Sequence, residues 1–188
     1  MIDRSSWATV PAKWFTIPSA PRKFRVIVLH TMEAPEKGET AEAVAKFFAK
    51  GDRRASAHAC VDNNSVVQCV EDKDIAWGAK GANADGLHIE MAGSFRQTAE
   101  QWADLYSQAV LALAAQVAAR FCVDHAIPAV RLTTEQLLAG ERGIVGHDQV
   151  VAAYPAGQVA AEHQDPGTAF PWDEFMKQVW LAIGPTGK

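Results

Sequence analysis

Cysteine is scarce in this chain, charge of one sign is not in excess, and no apolar stretch reaches the length of a membrane span. Each shortage excludes something. The three cysteines, Cys60, Cys69 and Cys122, are an odd number without metal-type spacing, and they read as small buried hydrophobes. With Asn63-Asn64 as a two-residue hairpin turn, Cys60 faces Val67 and Cys69 lies on the diagonal, where side chains stand roughly 7–8 Å apart. A disulfide needs Cβ atoms near about 4 Å, so free thiols are expected. A formal net charge of −4, from 18 basic and 22 acidic residues, gives no electrostatic footprint for a polyanion, and nucleic acid is not an expected partner. The opening "MIDRSSWATVPAKWF" lacks the apolar core and cleavage site of a secretory signal, and no segment approaches the roughly 20 apolar residues of a transmembrane helix. Cytoplasmic synthesis, no membrane segment and a monomeric state are the expectations.

What is present suffices for one domain: 188 residues, 48% of them hydrophobic. "RVIVLH" (Arg25 to His30) is a β-branched run that reads as a strand buried on both faces. From Thr40 to Lys50, Val44, Phe47 and Phe48 recur at helical spacing and stop before Gly51. "AHACVD" and "SVVQCV" around Asn63-Asn64 read as a hairpin, asparagine tolerating the positive φ of such turns. In "GLHIEMAG" the period of two puts Leu87, Ile89 and Met91 on one face and His88, Glu90 and Ala92 on the other. A long helix opens with a capping box at Thr98 to Gln101, carries Trp102, Leu105, Tyr106, Ala109, Leu113 and Val117 on one stripe, and ends before Pro128. A short helical piece covers Thr134 to Ala139, and a last amphipathic helix from Trp172 to Ile183 turns Phe175, Val179 and Trp180 inward. Strands alternating with helices predict an α/β fold with one mixed central β-sheet flanked by helices. Residues 1–24 are expected to pack on a domain spanning 25–183, followed by a linker-like tail over 184–188.

Several histidines invite a metal reading, and each has a plainer one. His125 at the end of the long helix suits the helix dipole, and His58 at the start of a hairpin strand is more often structural. His30 ends a wholly apolar strand, where open α/β sheets place their ligands. His147 in "GIVGHDQV" is likewise a polar residue released at the end of a short apolar run. Asp165 by itself is a turn former in Asp-Pro-Gly. A hydrolytic zinc site uses three N or O ligands and leaves the fourth position to water, which two histidines and a carboxylate satisfy. Their wide separation in sequence means that spacing alone does not carry the set.

From about Arg25 to Trp172 the chain resembles the zinc-dependent N-acetylmuramoyl-L-alanine amidases of type 2, which share their fold with the peptidoglycan recognition proteins. The resemblance rests on "VIVLHTM", "SAHACVDNNSVVQCV", "IAWGAKGAN", "LHIEMAG", "GHDQV" and "HQDPGTAFPW", in that order. It implies Zn2+ held by His30, His147 and Asp165, with Glu90 as the catalytic carboxylate. His163 occupies a position where lysine is frequent, and is expected to stabilise the developing oxyanion with an activity optimum at lower pH than a lysine-bearing relative. Trp77 is expected either to stack on a sugar face or to lie in the core. Asn83 is expected to line the substrate groove or hold its loop.

There are departures from the pattern. Ala57 stands where some branches have a catalytic tyrosine, leaving the proton transfers to Glu90. Gly78 replaces a histidine after the loop tryptophan, and His88 replaces a glycine on the Glu90 strand, from which it is expected to narrow the groove or contact substrate. The implied reaction is hydrolysis of the amide between N-acetylmuramic acid and L-alanine in peptidoglycan or a muropeptide. A phage endolysin domain is the favoured setting. A cytosolic recycling amidase and a non-catalytic peptidoglycan-binding module are the alternatives, and the complete ligand set favours an enzyme.

Overall fold

The apolar run that begins at Arg25 forms a strand from Val26 to Thr31 that is buried throughout. In chain order the elements of this computed structural model are β1 (Ala8–Thr9), β2 (Phe15–Thr16), β3 (Val26–Thr31), α1 (Thr40–Lys50), β4 (Ala59–Val61), β5 (Val66–Gln68), β6 (Ile75–Ala76), β7 (Gly86–Met91), α2 (Ala99–Trp102), α3 (Leu105–His125), α4 (Thr134–Leu138), β8 (Gly143–Gly146), α5 (His147–Ala153) and α6 (Trp172–Ile183). The structure describes residues 3–155 and 163–184; Glu162 and the tail over 185–188 lie outside the described residues. Six strands make one mixed sheet in the order β1-β5-β4-β7-β3-β8, with β4–β5 its antiparallel pair, and β2 pairs with β6 apart from it.

Alternation along β3 divides the core. Ile27 and Leu29 join Leu87, Ile89 and Met91 under α3 and α6, whereas Val26 and Val28 face the opposite side with Val145, Leu137 and Val150. Each such fully buried aliphatic contributes about 1.5–3 kcal/mol. A third cluster, with Ala41, Ala45 and Phe48 of α1 over Cys60, Val67 and Cys69, covers the other part of that second face. His30 falls on the same side as Val26 and Val28, between these two clusters, by the period of two.

Several expectations need correction. The long helix is broken: α2 keeps the Thr98–Gln101 capping box, but the chain restarts at Asp104, whose carboxylate accepts from Ser107 N and caps α3. Leu105 is therefore the first residue of a new helix and is 92% exposed. Trp180 is also exposed, its indole donating to Ala129 O at 2.6 Å. The hairpin has the expected Cys60–Val67 register, but its turn does not use positive φ. Instead Asp62 organises it, accepting from Asn64 N, Ser65 N and the Ser65 hydroxyl, while its other oxygen accepts from Ala41 N at the start of α1. Cys60 and Cys69 are free thiols with sulfurs 3.7 Å apart, closer than diagonal geometry implies. Finally, α3 is long and apolar enough by length and composition to cross a membrane. Its packing between the sheet and α6, with Val110, Leu111, Val117 and Phe121 fully buried, accounts for that apolarity.

Candidate metal centre

Parallel pairing brings the site together. His30 near the end of β3 stands beside Glu90 of β7 in register, and Leu29 stands beside Gly146 of β8, so His147, the first residue of α5, emerges next to His30. The loop after residue 162 returns Asp165 to the same place, with Asp148 N donating to Asp165 O at 2.9 Å. The aromatics that follow hold that loop down. Phe170 packs edge-on against Trp102 and Trp172, at 5.2 and 5.0 Å between ring centroids, and all three are buried. Gly167 passes so close to Phe95 O that a Cβ would stand 2.1 Å from it, and its φ of +96° favours glycine for a second reason.

Three donor atoms converge. His30 Nδ1 is 3.1 Å from His147 Nδ1 and 3.0 Å from Asp165 Oδ2, and His147 Nδ1 is 3.3 Å from the same oxygen. A tetrahedral zinc ion with bonds of about 2.0–2.1 Å separates its donors by about 3.3 Å, so this set fits such an ion. All three residues are buried. Two facing imidazole nitrogens and a carboxylate that close together are the chemistry of a cation site.

The electrostatics agree with ligand duty. Burial opposes ionisation of Asp165, but hydrogen bonds with His147 and His30 outweigh it and hold its carboxyl well below the usual range. Burial, reinforced by His30, lowers the pKa of His147 and favours the neutral, ligating form. Glu90 goes the other way: burial first, then the carboxylates of Asp165 and Glu33, push it well above the ordinary glutamate value. A cation at the three ligands would pull it back.

A groove of about 460 Å³ opens over the site, with His30, His147, Asp165, Glu90 and His163 at its floor. His163 lies with its ring centroid 4.4 Å from that of His147. Trp77 forms part of the wall, stacked on Trp14 at 5.9 Å, with its indole N–H on the Thr16 hydroxyl at 2.9 Å. Asn83 takes the second of its two expected roles: its Oδ1 accepts from Gly78 N and Ala79 N and so holds the Trp77 loop. The expectation for His88 is corrected. Its ring is fully buried beneath His30, with Nδ1 3.1 Å from His30 Nε2, and it does not reach the groove. His58 and His125 make fixed internal contacts and do not line the groove. His58 is stacked on His88 and held neutral by burial, its pKa pushed down to about 3, while His125 bonds Asp72 at 2.6 Å.

Sequence reasoning missed Glu33, Phe47 and Arg53, which also line the groove. Phe47 recurs with Val44 and Phe48 at helical spacing, but it is 43% exposed and borders the groove, whereas Phe48 is buried. Glu33 bonds Thr31, Ser94 and Phe95 N and left no sequence signal. A separate cavity of about 510 Å³, bordered by Arg4, Gln68 and Asp72 to Asp74, lies away from these ligands.

A family model described as N-acetylmuramoyl-L-alanine amidase (Amidase_2) matches residues 20–168. No curated protein matches the chain in a sequence comparison. Among solved structures, a mutant endolysin from Bacillus subtilis is 17% identical with a TM-score of 0.62, covering 96% of this chain and 100% of that one. The hydrolase AmiA of Staphylococcus aureus, in complex with its ligand, is 14% identical with a TM-score of 0.67, over 97% of this chain and 85% of that one. The N-acetylmuramoyl-L-alanine amidase LysC from Clostridium intestinale is 15% identical with a TM-score of 0.57, over 92% of this chain and 95% of that one. At such identities these likenesses show a shared fold, and the family match spans most of the chain. The chain therefore belongs to the type 2 N-acetylmuramoyl-L-alanine amidases, hydrolases that act on peptidoglycan.

Proposed function

We propose that this amidase is zinc-dependent, that it cleaves the amide between the lactyl group of N-acetylmuramic acid and the first L-alanine of the stem peptide, and that it serves as the lytic domain of a phage endolysin. The observation that carries the reading is the convergence of His30 Nδ1, His147 Nδ1 and Asp165 Oδ2 at the floor of an open groove beside Glu90. The endolysin setting draws on the fold shared with a mutant endolysin from Bacillus subtilis over the whole of that solved chain. The complete donor set together with Glu90 weighs against a non-catalytic binding module.

His30, His147 and Asp165 would hold the zinc ion, which would supply Lewis-acid chemistry and a lowered pKa for water at the site. Glu90, beside His30 in register and lining the same groove, accepts the proton of the attacking water and returns it to the departing amine. His163 places a hydrogen-bond donor where negative charge develops on the carbonyl oxygen. Trp77 and the α1 edge around Phe47 form walls that orient the glycan and peptide.

Mass spectrometry of peptidoglycan digested with and without a chelator is the direct check. New free L-alanine amino termini that vanish on chelation and return with zinc are expected, and glycan cleavage or peptide-internal cleavage overturns the reaction. Intact walls and soluble muropeptides assayed side by side separate the settings: an endolysin clears walls, and an enzyme active on muropeptides alone overturns that role.

A further inference from the structure

We propose that His88 is a positioning residue that fixes the orientation of His30, and that Gly78 is glycine because His88 occupies its side-chain space; this rests on the metal reading above. His30 turns Nδ1 toward His147 and Asp165, which leaves Nε2 facing His88 Nδ1 at 3.1 Å. A ligating imidazole is neutral with its lone pair on the metal side, so Nε2 carries the proton and His88 Nδ1 accepts it. Metal-bound histidines are commonly oriented by such an outer acceptor, which sharpens ring angle and raises ligand basicity. The acceptor here is another imidazole.

The ring of His88 has little freedom to do anything else. It is fully buried, and on one side the His58 ring lies parallel to it, with centroids 5.7 Å apart and planes 10° from each other. His58 is itself tied to the strand, accepting from His88 N at 2.9 Å through Nδ1 and directing Nε2 to Asp74 O at 3.2 Å. Toward the Trp77 loop lies Gly78, where a Cβ would come 2.6 Å from His88 Nδ1 and 2.8 Å from its Cγ. That is the nitrogen facing His30. The two departures noticed separately in the sequence, glycine at 78 and histidine at 88, are thus the two sides of one contact. Support is also uneven between the ligands, since His147 Nε2 meets no hydrogen-bond partner among the described residues.

The test is zinc affinity, measured by competition against a chromophoric chelator, together with the visible spectrum of the cobalt-substituted protein and the melting of the metal-free form. His88→Leu keeps bulk but removes the acceptor, and is expected to lose affinity by about 10- to 100-fold with an altered cobalt spectrum. His88→Asn can place an oxygen near the position of Nδ1, and is expected to bind close to wild type. Gly78→Ala, which touches no ligand, is expected to weaken binding in the wild-type background and to have no such effect on top of His88→Gly. Should His88→Leu fail to fold, that two-variant comparison carries the test. Unchanged affinity in His88→Leu, equal loss in His88→Asn, or an additive Gly78 effect overturns the proposal while leaving the metal reading intact. A wild-type chain that takes up neither zinc nor cobalt overturns both.

Discussion

Glu90 and His30 stand side by side on neighbouring parallel strands, and the same burial that keeps His30 in place makes a charged Glu90 costly. Its raised pKa means that the fold binds the Glu90 proton more tightly than the unfolded chain does. The associated stability is present below the ordinary carboxylate range and is lost as pH rises through the folded value. Glu90→Gln in the metal-free protein is therefore expected to melt higher than wild type at neutral pH, an advantage that disappears near pH 4. The same substitution should lower amidase activity by roughly 10²- to 10⁴-fold while zinc binding persists. Thermal melts over a pH series and a turnover assay decide it; unchanged activity removes Glu90 from the proton path. The direction of Glu90 was legible, because a period of two needs no tertiary information. The fate of His88 on the same face was not. Alternation puts it on the side of Glu90 but cannot say that the Trp77 loop, with glycine at 78, folds over it.

At the scale of elements, the strand centres and the ends of α1 and α6 followed from β-branched runs and amphipathic spacing, and the break between α2 and α3 did not. Asp104 is a helix-interior residue in a pattern that ignores caps, yet its carboxylate bonds Ser107 N and begins a new helix, which releases Leu105 to solvent. Trp180 escaped a periodicity argument for a similar reason: its indole finds the Ala129 carbonyl beyond the edge of the core. The loop carrying Asp165 is held by two devices, the aromatic cluster around Phe170 and the close passage of Gly167 over Phe95 O. Gly167→Ala adds both a clash and a strained φ, and is expected to displace Asp165. Reduced zinc affinity with otherwise native circular dichroism is the expected result; full affinity would show that the aromatic cluster alone sets the loop.

Across the whole molecule, the N-terminal turn, the loop before β6 and the end of α3 meet at Asp72. Arg4 reaches it at 2.6 Å and bridges on to Asp124 at 3.1 Å, while His125 donates to it at 2.6 Å. Burial opposes the charge on Asp72, but the bonds from His125 and Arg4 outweigh this and bring its pKa down to about 2. A depressed carboxylate stabilises the fold above its unfolded pKa, and that contribution is lost as pH falls toward the folded value. Asp72→Asn is expected to cost about 2 kcal/mol at neutral pH, with the gap from wild type closing between about pH 4 and pH 2. Urea unfolding across that range measures it. A gap independent of pH would mean that the substitution acts through packing and not through charge.

The central strands, the long helices, most burial faces and the residue types able to bind a metal were set by the sequence itself, because propensity, period and turn chemistry act over a few residues. Which of those residues come close enough together to hold an ion was decided only by the fold. His30 is 117 residues from His147 and 135 from Asp165, and they meet because β8 pairs in parallel beside β3 and a loop pinned by aromatic packing returns to the strand ends. Local pattern records the face on which a side chain stands, whereas its neighbours across the sheet, and so its chemistry, are fixed by contacts between segments that no short-range rule relates.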